Sequence, residues 1–139
     1  NKRISRMSNY ASELQQTVFN ALDQSSTLQN LVTDVYDFVP ESTAFPYVKI
    51  GEQTMVDDGT KDKKGSDFTI EVHTFSRYRG SVEIKNIMSV VYDILHESSL
   101  SVSGASLVNM RFEFSDIIKE NDGLTTHGVQ RFRVFVLSS

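Results

Sequence analysis

Near the C-terminal end, apolar and polar residues alternate with a period of two along a pair of stretches. Val108, Met110, Phe112 and Phe114 interleave with Asn109, Arg111 and Glu113, and Phe132, Val134 and Val136 interleave with Arg131, Arg133 and Phe135. Period two is the signature of a strand with one face buried. Between them lies Asn121-Asp122-Gly123. A two-residue Asp-Gly turn would set Phe112 opposite Arg133 and Met110 opposite Phe135, which mixes the faces. A three-residue loop, with Gly123 in the left-handed conformation beside a bulge, instead pairs Phe112 with Phe132, Met110 with Val134 and Val108 with Val136. The second register is the one adopted. It also sets Glu113 opposite Arg131, a cross-strand pair of about 0.2–1 kcal/mol. Each arm then runs for about a dozen residues, roughly twice the usual strand length. The half nearest the turn is weakly apolar, so the hairpin is expected to project, either as a solvated loop or as an arm packed on another subunit.

Elsewhere the period changes. Ala11, Leu14, Val18, Ala21 and Leu22 recur at three- and four-residue intervals and predict a helix over about 9–23, capped by Ser8 or Asn9. Leu28, Leu31 and Val32 predict a short further turn of helix, Val35 to Val39 a brief strand ended by Pro40, and Pro46 to Met55 or Val56 a longer one. Ser66 to Ser76 reads as a central strand with Phe68, Ile70, Val72 and Thr74 on one face and Thr69, Glu71, His73 and Phe75 on the other. Ser81 then caps a helix over about 82–97 with the stripe Ile84, Ile87, Met88, Val91, Ile94 and Leu95. The order predicts an α+β domain spanning residues 1–139: an antiparallel sheet of four to five strands packed on two helices, with a long C-terminal β-hairpin and residues 1–8 as an N-terminal extension.

Residues 57–67, DDGTKDKKGSD, offer four aspartates and three lysines and no apolar side chain. The segment is read as a mobile, solvated loop of the kind that also orders against a partner. Asp57, Asp58, Lys61, Lys63 and Lys64 are its candidate contact residues. Cysteine is absent, which removes disulfides, thiolate metal sites and cysteine nucleophiles. Fourteen basic against eighteen acidic residues leave a net charge of −4, unsuited to general nucleic-acid binding, and no apolar run is long enough for a membrane span.

Chemistry has little local footing. His73, His96 and His127 stand 23 and 31 residues apart, so a metal site would need the fold to collect them. There is no nucleophile elbow and no phosphate loop. Asp116, Glu120 and Asp122 gather near the hairpin tip, where a solvated acidic turn competes with acid–base or cation-binding roles. The expected assignment is therefore no catalytic residue, cofactor or metal. Arg111 and Arg133 face each other in the adopted register. With Glu113 and Arg131 they either splay into water or form a patch for a partner's carboxylates.

Three segments in order carry a family resemblance: Pro46-Tyr47-Val48-x-Ile50-Gly51, Phe75-Ser76-Arg77-x-x-Gly80 leading into a helix, and Asp122-Gly123-x-Thr125-x-His127-Gly128-x-x-Arg131-Phe132-Arg133. Together they resemble the tail-completion, or tail terminator, proteins of long-tailed bacteriophages and gene transfer agents, over roughly residues 10–137. Relatives often have tryptophan where this chain has Phe75. The resemblance implies a structural virion protein made in the bacterial host cytoplasm and located at the head–tail interface. Its implied form is a homo-oligomeric ring, usually a hexamer, that caps the tail tube and meets the head connector. DNA would pass through its lumen without specific binding, and an acidic balance suits such a lumen. On this reading Asp57, Asp58, Lys61, Lys63, Lys64, Arg111, Glu113, Asp116, Asp122, His127, Arg131 and Arg133 are the subunit and partner contacts, and an adjacent connector or stopper protein is the neighbouring alternative. A pocketed ligand-binding or hydrolytic domain using His73 and His127 is the more distant one.

Overall fold

The computed structural model describes residues 10–57, 65–96, 98, 100–102 and 105–138. Helix α1 spans Tyr10–Asp23, the single turn α2 Ser26–Gln29, and α3 Val82–Leu95. The strands are β1 (Val35–Tyr36), β2 (Tyr47–Asp57), β3 (Gly65–Ser76), β4 (Ala105–Lys119) and β5 (Thr126–Ser138). They form one sheet in the order β1-β2-β3-β5-β4. The α+β reading holds with one amendment: β1 pairs in parallel with β2, so the sheet is mixed, and only its four long strands are antiparallel.

One face of the sheet is the core. Val48 and Ile50, Phe68, Ile70 and Val72, Met110, and Phe132, Val134 and Val136 are all buried there. The helices cover them with Leu14, Val18 and Leu22 of α1 and Ile84, Ile87, Val91 and Leu95 of α3. Burying stripes of this kind is what makes these amphipathic segments helical in context, since fully burying such a side chain is worth about 1.5–3 kcal/mol. Two polar anchors fix the docking: Gln53 Nε2 donates to the Ala11 carbonyl at 3.1 Å, and buried Gln130 Nε2 donates to the Met88 carbonyl at 2.8 Å. Helix α3 rides directly on β5 at Gly128, where a Cβ would run into the Met88 sulfur. Ser81 occupies the N-cap position of α3 without a side-chain cap bond. His96, predicted to lie in the last turn, is the C-cap residue, and its Nδ1 accepts the Phe112 N–H at 3.0 Å. The predicted caps of α1, Ser8 and Asn9, lie outside the described residues.

The core half of the hairpin has the predicted register: Phe112↔Phe132, Met110↔Val134 and Val108↔Val136. The tip half does not. Its loop is Asn121–Leu124, closed by Glu120 N–H to the Thr125 carbonyl at 2.8 Å. Asp122 sets this wider loop, because its Oδ1 accepts from the Leu124 and Thr125 amides at 2.8 Å each and its Oδ2 from the Thr125 hydroxyl at 2.7 Å. Gly123 is left-handed as predicted, with φ +73°. The extra loop residue is absorbed by a bulge at Glu113, far from the turn, so that Arg131 faces Phe114 rather than Glu113. Beyond the bulge every β4 side chain changes face, and Phe114, predicted on the core face, is instead exposed on the outer one.

The predicted projection is also corrected. Strand β3 accompanies β5 from Gly65↔Leu137 to Ser76↔Thr126, so β5 is a central strand and only the turn extends past the sheet. The predicted 57–67 loop is shortened at both ends, since Asp57 ends β2 and Gly65–Asp67 begin β3. Among the described residues no helix is long and apolar enough to cross a membrane.

Candidate functional site

The outer face of the sheet, away from the helices, collects most of the chain's distinctive chemistry. The registers order it in cross-strand rows. The first row is Tyr47, Phe75, His127 and Ile118, and the next is Lys49, His73, Val129 and Asp116. Glu71, Arg131 and Phe114 follow, then Thr54, Thr69, Arg133 and Arg111. Alternation along each strand produces this segregation: the same period that buries Ile70 and Val72 turns Glu71 and His73 outward.

At one end of this face aromatic rings stack in series. Tyr47 and Phe75 have centroids 5.0 Å apart, and Phe75 and His127 lie 4.3 Å apart at 16°. Arg77 closes the series by resting 4.3 Å above the Phe45 ring, while its Nε donates to Thr125 and its Nη2 reaches Asp122 at 3.4 Å. The hairpin tip is thus tied back to the loop after β3. Its bonds to the Thr125 and Leu124 amides and to the Thr125 hydroxyl hold the Asp122 carboxyl down at about 2. Asp122 is a structural cap, not a free acidic tip.

His73 and His127 come together. His73 Nδ1 lies 2.7 Å from His127 Nε2, His127 Nδ1 lies 3.2 Å from Glu120 Oε2, and His73 Nε2 lies 3.2 Å from Glu71 Oε1. Glu52 approaches the same nitrogen at 3.9 Å. A bulge in β2 brings it there: between Ile50↔Val72 and Gln53↔Ile70, Gly51 and Glu52 together oppose Glu71. Burial, and then the neighbouring His127, depress the His73 pKa, with Glu71 and Glu52 opposing. Neither imidazole makes a hydrogen bond to a hydroxyl among the described residues. His96 stays apart, stacked on Tyr92 at 4.7 Å on the far side of the hairpin register.

The arginines are answered largely from within. Arg133 makes a bidentate pair with Asp67, at 3.1 and 2.8 Å, which lowers the Asp67 pKa chiefly through that hydrogen bond. Arg131 donates to Glu71 at 3.3 and 3.4 Å. The bulged Glu113 points between them, 4.0 Å from Arg131 and 3.8 Å from Arg133, so the pairing predicted with Arg131 survives as side-chain proximity although the register does not. Arg111 is different: it is exposed on β4, faces Arg133, and makes no ion pair among the described residues. Asp116 is exposed and accepts the adjacent Ile117 amide at 2.8 Å. Asp57 ends β2, while Asp58, Lys61, Lys63 and Lys64 lie outside the described residues.

Sequence reasoning placed Glu71 on this face beside His73 and Phe75 but missed Glu52, Glu120 and Asp67 as its members. The signal for Glu71 was present in the alternation of β3. Its partners could be found only by knowing that β3 lies between β2 and β5.

The model of the family described as "Tail completion protein gp17" matches residues 16–137. The chain is 27% identical over 120 residues to the tail completion protein gp17 of Bacillus phage SPP1, covering 86% of this chain and 89% of that protein. Among solved structures, a chain in the virion of a native gene transfer agent particle superposes with a TM-score of 0.88 at 26% identity, covering 94% of this chain and 99% of that one. The structure of bacteriophage SPP1 gp17 superposes with a TM-score of 0.60 at 24% identity, over 92% and 89% of the two chains, a likeness of fold. With the matched span running from within α1 to the penultimate residue of β5, and so taking in α3 and nearly the whole sheet, the chain belongs to the tail completion protein gp17 family.

Proposed function

We propose that this chain is a structural protein of a phage-type virion, acting at the junction of tail and head. Identical subunits close a ring, one rim docks on the tail tube, and the other receives the head connector. The observation that carries the reading is the likeness to a subunit of an assembled gene transfer agent virion, which covers nearly the whole of both chains. In this mechanism the ring stops tube growth by shape: one rim copies the docking surface of the tube and the other does not. The chain performs no chemical reaction, and DNA traverses the lumen without adhering, consistent with a net charge of −4.

The exposed edge is the natural contact surface. Strand β4 borders only β5, and its outer face offers Arg111, which makes no ion pair among the described residues, together with exposed Phe114 and, further along, Ile118. Apolar side chains on the same edge as this guanidinium suit a partner with a carboxylate near its own apolar patch. Asp57, Asp58, Lys61, Lys63 and Lys64 supply a second, charge-based contact. Glu113, Asp116, Asp122, His127, Arg131 and Arg133 serve mainly to shape the face that presents these groups. A hydrolytic reading draws on the His73–His127 pair, but neither ring is hydrogen-bonded to a hydroxyl among the described residues.

The test is electron cryo-microscopy of particles made by the strain that encodes the chain, beside particles from a strain lacking it. Density for a ring of these subunits between tube and connector, with heads and tails left unjoined in the deletion, is the expected result. Intact, joined particles from the deletion strain would overturn the proposal.

A further inference from the structure

The chain Glu120···His127···His73···Glu71 contains three close contacts that need protons, and Glu52 waits at the end of it. Two neutral imidazoles carry two N–H groups between them. If His73 Nδ1–H donates to His127 Nε2 and His127 Nδ1–H donates to Glu120, both are used. This is one of the two tautomer sets that the partners allow, the other placing His73 Nε2–H on Glu71. In the first set the lone pair of His73 Nε2 faces the carboxylates of Glu71 and Glu52 with no hydrogen between them. Two anions and an imidazole lone pair converging on one point form the donor set of a cation.

The backbone is shaped to make this convergence. The β2 bulge turns Glu52 onto the same face as Glu71 and His73, and Gly51 leaves the room that the His73 ring occupies, since a Cβ there would overlap its Cδ2 and Nε2. One ligand atom from each of Glu52, Glu71 and His73 falls within a common 4.8 Å. The two spacings to His73 Nε2, 3.2 and 3.9 Å, bracket the ~3.3 Å edge of a tetrahedron with metal–ligand bonds of about 2.0–2.1 Å. Glu71 offers Oε1, its Oε2 being held by Arg131. His127 completes the pattern by accepting from the other nitrogen of the ligand histidine, as outer partners of metal-bound histidines do.

We propose that Glu52, Glu71 and His73 bind a divalent transition-metal ion of the zinc class, oriented by His127 and Glu120, with solvent completing the coordination. Such an ion would clip β2 to β3 across the β2 bulge on the outer face. The site is independent of the virion assignment.

The test is calorimetric titration of the tag-free full chain with ZnCl2, with Co2+ as a spectroscopic substitute and 15N imidazole NMR to identify the ligating nitrogen. One ion per chain is expected, with a shift at His73 Nε2 and a rise in melting temperature. Glu52→Gln alters a largely exposed side chain and should leave the apo fold intact, yet weaken binding by about tenfold or more because one of three ligands loses its charge. His127→Leu should weaken it by about 10–100-fold without removing a ligand. Absence of one-to-one binding, or binding that Glu52→Gln leaves unchanged, would overturn the proposal. So would an NMR spectrum in which His73 Nε2 carries a proton in saturating Zn2+.

Discussion

The imidazole of His73 lies over the α-carbon of Gly51, in the space that any other side chain at that position would need. Gly51 is not left-handed, so its role is close approach rather than backbone freedom. Gly51→Ala should drive the ring off its position, at an overpacking cost of about 1–3 kcal/mol, because the Glu71 carbonyl at 3.3 Å closes the other direction of escape. Chemical denaturation gives the cost, and loss of the His73–His127 hydrogen bond shows in the imidazole NMR signals. An unperturbed His73 signal in a stable Gly51→Ala protein would contradict this packing.

The bulge at Glu113 makes two phenylalanines of the same hairpin differ. Phe132 is fully buried against Phe112, with ring centroids 5.7 Å apart, and Phe132→Ala should cost about 3–5 kcal/mol. Phe114 is 44% exposed and rests near Arg131, so Phe114→Ala should cost no more than about 1 kcal/mol. Urea denaturation of the two variants checks the ordering. Equal losses would mean that the alternation continues through Glu113 without a bulge.

Why the sequence disclosed one half of the hairpin and not the other follows from these residues. From Val108 to Phe112 and from Arg131 to Val134 an apolar position alternates with a polar one, so a slip by one residue would have exposed the core, and the register was legible. Past Glu113 the run Ser115-Asp116-Ile117-Ile118-Lys119 has no such contrast, and nothing local marks the face change. The wide loop depends on Asp122 choosing the amides of Leu124 and Thr125, which a glycine signal at 123 does not encode. Strand β1 is two residues long, too short to display a direction of pairing. The contact between His73 and His127, residues joined in the sequence reading only by the pocketed alternative, had no local signal for a third reason. Its members are diagonal neighbours across β3 and β5, and that adjacency comes from the order of strands rather than from any spacing along the chain.

Acid should open the hairpin tip before the sheet. Asp122 has a folded-state pKa of about 2, below its ordinary 3.8, so its contribution to stability is complete above 3.8 and is lost as pH falls through about 2. Amide exchange at Leu124 and Thr125 should accelerate across that window while Ile70 and Val72 in β3 stay protected. In Asp122→Ala the same two amides should exchange fast at every pH.

Arg111 offers the cleanest separation of stability from assembly. It faces Arg133 across the β4–β5 ladder, and Arg133 is already engaged by Asp67 and Glu113. Arg111→Glu replaces a like-charge cross-strand contact with an opposite-charge one, so the isolated protein should become more stable by about 0.2–1 kcal/mol. If the β4 edge meets an acidic partner surface, the same substitution puts two negative charges together, and incorporation into particles should fall sharply. A charge reversal on the partner should restore it. Thermal melts of the purified chain and counts of joined particles give the two readouts. Normal assembly by the Arg111→Glu protein would remove this edge from the interface, whereas a loss of both stability and assembly would indicate that Arg111 supports the fold instead.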